Sequence, residues 1–168
     1  MFGLVTAILF CAGPAAATPY LVADATSGQV LMENEGAAVW YPASLTKLMT
    51  VYVALDAVRA GKLTLDTPLV MSARAARMPP SKMGFRPGTE VTLDNALKML
   101  MVMSPNDVAV MIAEGVSGSV KAFADDMNEA GRRLGLHESH FVNPNGLARR
   151  KSCVLGARHG DDRPCAHA

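Results

Sequence analysis

Between Ala43 and Gly135, four segments bounded by prolines and glycines carry apolar residues at three- and four-residue intervals and read as helices. The first run, Ala43 to Gly61, puts Leu45, Leu48, Met49, Tyr52, Val53, Leu55 and Val58 on an apolar face and closes on glycine. It is the most apolar of the four. Thr92 stands as N-cap before Leu93 to Met103, with Leu97, Leu100 and Met101 on one face. Pro105 interrupts that helix, and Asp107 to Glu114 resumes it with Val108, Met111 and Ile112. A fourth helix runs from Val120 to Leu134 and stops at Gly135. The eleven methionines fall mostly on helix core faces, as gap-fillers.

Ahead of this block, Tyr20 to Asp24 and Gln29 to Met32 flank the turn Ala25-Thr26-Ser27-Gly28 and predict a β-hairpin. Val39-Trp40-Tyr41 reads as extended, Pro68 to Met71 as a strand, and Met78 to Gly88 as a proline-rich loop. Phe141-Val142 is a short extended piece before the turn Asn143-Pro144-Asn145-Gly146. Strands at the front and helices behind them predict an α+β fold.

Composition narrows the function classes. With 18% charged residues and a net charge of +1, the chain has no basic face of the kind a nucleic-acid binder needs. Residues 18–147 contain no cysteine, which excludes a disulfide scaffold and a thiol nucleophile there. Phe2 to Cys11 has the size of a signal h-region, and Ala15-Ala16-Ala17 supplies a cleavage site, although no Lys or Arg precedes the apolar run. Residues 1–17 are therefore expected to be an export signal, with the protein acting in the periplasm or on the outer face of the cytoplasmic membrane. Residues 18–147 are expected to form the folded part. The 21 residues from Ala148 hold five of the sixteen Lys/Arg, two of the four His and two of the three Cys. This abrupt change marks 148–168 as an atypical tail, such as a frameshifted segment. Its Cys153, His159, Cys165 and His167 do not follow a usual zinc spacing, so no metal site is expected there.

Two clusters carry chemistry. Ser44 and Lys47, spaced i, i+3 at the start of the first helix, lie on one face a turn apart. Serine is a weak nucleophile until a base takes its proton, and a lysine serves if burial or a nearby cation keeps its amine neutral. The positive end of the helix favours both a neutral amine and a bound oxyanion. Ser104-Pro105-Asn106 offers a hydroxyl and an amide in a tight break between helices, suited to proton relay and to binding a substrate amide. Taken singly, each has a plain structural reading: a capping serine with a solvated lysine, and ordinary helix punctuation. His137 and His140 read as surface or structural residues.

The segment Tyr41-Pro42-Ala43-Ser44-Leu45-Thr46-Lys47-Leu48-Met49-Thr50 closely resembles the active-site segment of the serine D-alanyl-D-alanine carboxypeptidases, the low-molecular-mass penicillin-binding proteins of peptidase family S11. Ser104-Pro105-Asn106 sits where that family carries its S-x-N motif. Residues 141–147 look like its F-x-N-P-x-G-L turn, and 24–31 are similar to its first hairpin. The resemblance covers about residues 18 to 147. It implies the penicillin-binding/β-lactamase-like fold and an acyl-enzyme on Ser44, with Lys47 as general base, Ser104 as proton relay and Asn106 as substrate-binding residue. The implied substrate is a peptidoglycan stem peptide ending in D-Ala-D-Ala. β-Lactams would be covalent inhibitors, no cofactor is implied, and full-length members would associate peripherally with the membrane. No Lys-Thr-Gly follows Ser104, so the family's third motif is absent and an incomplete version of the fold is expected. Two other readings stand beside this one: a non-catalytic remnant, and a class A β-lactamase relative, whose second motif is usually S-D-N where this chain has Pro105.

Overall fold

The computed structural model describes residues 19–36, 38–147 and the two-residue strand Val154–Leu155. The expected signal at 1–17 and most of the 148–168 tail, with its cysteines and histidines, lie outside the described residues. The fold is α+β, as the order of elements predicts, and it separates into two units at Gly36.

The first unit is the hairpin β1 (Tyr20–Ala23) and β2 (Val30–Asn34), antiparallel with Leu21 opposite Glu33 and Val22 opposite Met32. Asp24 makes the turn, its Oδ1 accepting from the backbone N–H groups of Ser27 (2.6 Å) and Thr26 (3.0 Å) and from the Ser27 hydroxyl (2.7 Å). These bonds, led by the Ser27 N–H, hold its carboxyl below the ordinary value. Tyr20, Leu21, Val22, Val30, Leu31 and Met32 are all exposed.

The second unit is built around one helix. β3 (Val39–Trp40) leads through a 3-10 turn (Ala43–Leu45) into α1 (Thr46–Arg59). β4 (Pro68–Val70), α2 (Ala73–Ala76), β5 (Glu90–Thr92), α3 (Leu93–Met103), α4 (Asn106–Ser117) and α5 (Val120–Arg133) follow. α4 packs against α1, α2, α3, α5 and β4, and its residues 106–113 are all buried. Gly115 lets β4 approach, since a Cβ there would run into the Leu69 side chain. Val108, Met111 and Ile112 meet Phe123, Met127, Leu100 and Leu69 in a single core. The cap expected at Thr92 is present, its Oγ1 accepting from Asn95 N, and Ser119 caps α5 in the same way, its Oγ accepting from Ala122 N.

Several expectations are corrected. β5 pairs antiparallel with β4, whereas the sequence suggests only a cap at Thr92; three residues with one apolar side chain give no alternation to read. The four-residue α2 is likewise shorter than one helical repeat pattern. Of the methionines, Met49, Met71, Met111 and Met127 are buried, but Met32, Met83, Met101 and Met103 are exposed. Leu45 and Leu48, expected on the inward face of α1, are 67% and 53% exposed. Thr46, Lys47 and Thr50 take the inward positions, because Lys47 and Thr50 find buried hydrogen-bond partners there. Within the tail, Val154–Leu155 pairs antiparallel with β3.

Candidate active site

The backbone that carries Ser44 is bent by its neighbours. Pro42 is fixed near φ −73°, and Ala43 then adopts φ +47°, a left-handed conformation that a residue with a Cβ rarely takes. The 3-10 turn after it leaves Ser44 exposed, and the change to α-helix at Thr46 sends Lys47 inward to 4% exposure. Ser44 thus sits in the tight turn ahead of α1, not in the α-helix itself. Its N–H is in the first turn, where a helical segment has no acceptor of its own to offer.

The opposite wall is the α3–α4 break. Ser104 ends α3 in the left-handed region at φ +52°, with its N–H bonded to Leu100 O, and Pro105 restarts the chain as the N-cap of α4. This bend points Ser104 Oγ and Asn106 Oδ1 toward the Lys47 amine. Lys47 Nζ lies 3.3 Å from Ser44 Oγ, 2.9 Å from Ser104 Oγ, 2.8 Å from Ser104 O and 3.0 Å from Asn106 Oδ1. All four residues singled out in the sequence are therefore brought together.

The Asn106 amide has a fixed orientation. Its Nδ2 donates to the carbonyls of Pro79 (3.0 Å) and Pro80 (3.1 Å), which leaves Oδ1 to face the lysine. Burial lowers the Lys47 pKa below the ordinary 10.5, because removing the ammonium from water disfavours the charged form. A neutral amine fits these partners. Two N–H groups are accepted by Ser104 O and Asn106 Oδ1, and the lone pair remains for a hydroxyl proton from Ser44 or Ser104.

The sequence did not single out Asp107 or the 79–84 loop. Asp107 is fully buried and accepts from Met83 N (3.0 Å), Gly84 N (2.9 Å) and Val108 N (2.8 Å). Ser81 adds two bonds, its carbonyl accepting from Asn106 N (2.7 Å) and its hydroxyl donating to Met103 O (3.0 Å). The loop is thus clamped to the start of α4, and it supplies the carbonyls that orient Asn106. A lone acid opening an otherwise apolar helix was the available signal.

Beside Ser44 lies an open cavity of about 340 Å³, walled by Pro42, Leu45, Leu48, Leu100 and Met101, with Lys47 and Ser104 at its polar edge. An apolar wall with a few convergent polar groups is the usual form of a small-molecule site. His137 and His140 are exposed and far from these contacts in sequence and bonding.

Comparison with known proteins gives the family of the chain. The family model described as D-alanyl-D-alanine carboxypeptidase, peptidase S11, matches residues 11–159, a wider span than the 18–147 over which the resemblance is visible by eye. The D-alanyl-D-alanine carboxypeptidase DacF of Bacillus subtilis is 36% identical over 121 residues, covering 72% of this chain and 31% of that protein. The DacA protein of Haemophilus influenzae is 34% identical over 159 residues, covering 88% of this chain and 40% of that one. Among solved structures, the DacD carboxypeptidase of Francisella tularensis superposes with a TM-score of 0.79 at 31% identity, covering 92% of this chain and 38% of that chain. Penicillin-binding protein 5 of Haemophilus influenzae gives 0.77 at 30% identity, covering 86% of this chain and 44% of that chain. The chain spans less than half the length of these relatives, and over that span it belongs to peptidase family S11, the D-alanyl-D-alanine carboxypeptidases.

Proposed function

We propose that this chain carries the acylating part of a serine D-Ala-D-Ala carboxypeptidase site. The observation that supports it is the buried Lys47 amine, within hydrogen-bond reach of Ser44 Oγ, Ser104 Oγ and Asn106 Oδ1 at once. Ser44 Oγ attacks the carbonyl carbon between the last two D-alanines of a stem peptide, and its proton passes to Lys47 Nζ. Negative charge develops on the carbonyl oxygen, for which the Ser44 N–H at the helix start is the available donor. Ser104 Oγ, in contact with Lys47, carries a proton to the departing amine, so that D-alanine leaves neutral at nitrogen and the ester on Ser44 remains. Asn106, expected from the resemblance to bind substrate, is buried with Nδ2 on two proline carbonyls and Oδ1 on Lys47, so its part is to hold the amine in place. Water then frees the shortened peptide. β-Lactams would enter the same step and stay as the ester. Such a substrate lies outside the cytoplasmic membrane, in keeping with the signal-like segment at 1–17.

A fluorescent penicillin incubated with the purified chain should add one label, mapped to Ser44 by mass spectrometry and lost in Ser44→Ala. A folded sample that takes no label, or a label that persists in Ser44→Ala, would overturn the assignment. A second reading is favoured by the shared length: the chain, which spans 31% to 40% of its curated relatives, binds the peptide without turning it over. Free D-alanine released from a synthetic stem peptide separates the two, because binding alone releases none.

A further inference from the structure

We propose that the turn at residues 143–147 is the seat that holds the Ser44 turn in place, with Gly146 and Thr50 as positioning residues for the nucleophile. This rests on reading Ser44 as the nucleophile. Ala43 holds a left-handed conformation that costs energy in a residue with a side chain, so something outside the turn must sustain it. Gly146 lies directly against it. A Cβ on Gly146 would overlap the Ala43 carbonyl and come within 2.9 Å of Thr46 Oγ1, and its φ of +73° independently favours glycine. One turn beyond Lys47, the fully buried Thr50 hydroxyl donates to Pro144 O at 2.7 Å. The Ser44–Lys47 segment is therefore gripped from behind at two points.

The seat is itself stiff. Asn143 Oδ1 accepts from Gly146 N (2.7 Å) and Asn145 N (3.2 Å), and Asn143 Nδ2 donates to Leu147 O (2.9 Å). Just before it, Asn128 on α5 bonds both backbone groups of Phe141 at 2.8 Å each. Neither Gly146 nor Thr50 reaches Ser44 Oγ or Lys47 Nζ. Their effect is carried through the backbone to the 3.3 Å separation between those atoms, the kind of distance on which proton transfer depends steeply.

The test compares the full chain with Thr50→Val, Thr50→Ser and Gly146→Ala. Penicillin acylation is resolved into pre-covalent binding and the acylation rate, and amide hydrogen exchange is followed in residues 42–48 and in α5. Thr50→Val should acylate about tenfold more slowly with binding unchanged, Thr50→Ser should restore the rate, and Gly146→Ala should lose about a hundredfold. Exchange in 42–48 should quicken in Thr50→Val and Gly146→Ala while α5 keeps its protection. An unchanged acylation rate in Thr50→Val, or protection lost equally in α5, overturns the proposal. If the parent chain takes no penicillin, the nucleophile reading fails, and exchange alone judges the seat: unaltered exchange in 42–48 of both variants rejects it.

Discussion

Helix α4 and the amino end of α1 are both apolar in sequence, yet they are held by opposite means. From Val108 to Ala113, α4 is buried among the helices and β4 that pack against it, so hydrophobic contact locates that stretch. α1 turns Thr46, Lys47 and Thr50 inward and leaves Leu45 and Leu48 outside, so directed hydrogen bonds locate it. Packing tolerates small shifts, whereas a base must meet its partner at a set distance and angle. The difference assigns stability to the apolar body of α4 and chemistry to the polar amino ends of α1 and α4.

Substitutions that separate those two properties test the contrast. The largest effect is expected from Lys47→Met, which should slow penicillin acylation by about 10²–10⁴-fold, the usual worth of a general base, while changing the melting temperature less than a core truncation does. Ile112→Ala in α4 should do the reverse. It should cost about 2–5 kcal/mol in denaturant unfolding, with residual folded protein acylating normally. Asp107→Ala should cost about 3 kcal/mol, because it leaves the buried Val108 N–H and the partly buried Met83 and Gly84 N–H groups without their acceptor, and it should expose the 79–84 loop to limited proteolysis. This variant would weaken the contrast if the protein that stays folded also acylated more slowly, since Asn106 is oriented by that loop.

The pH dependence follows from burial of the lysine. Lys47 titrates below 10.5 in the folded chain and near that value unfolded, so between the two pH values the unfolded chain binds more protons. Stability contributed by this group therefore rises with pH across that window, and the acylation rate climbs to a plateau that begins below 10.5. Lys47→Met should remove its share of the rise in melting temperature. The smallest effect belongs to Leu48→Ser, on the exposed face of α1, which should shift stability by no more than about 0.5 kcal/mol. A larger loss would mean that hydrophobic contact also holds the amino end of α1.

What the sequence makes legible is what side chains announce. Thr92 marks a helix start, Pro105 marks the break, and the 24–28 turn sets the hairpin; each acts on backbone within a few residues. The Ser44–Lys47 pair is visible in its spacing. Ser104 and Asn106 are 57 and 59 residues from the lysine they contact, and only resemblance links them to it. Asp107, Pro79 and Pro80 escape notice because they act through backbone N–H and carbonyl groups, which leave no mark in a residue pattern. Leu45 and Leu48 mislead for the complementary reason. Periodicity counts apolar residues, but it does not know that a lysine and a threonine have partners waiting inside.

The bond between Thr50 and Pro144 spans 94 residues of chain. Contacts of such long range close late, because the entropy of the intervening loop must be overcome before they return any energy. The helices can form from local signals while the protein is still being synthesised, but the nucleophile's turn cannot be completed until residue 147 has left the ribosome. A growing chain would thus hold most of its core before it held a reactive serine.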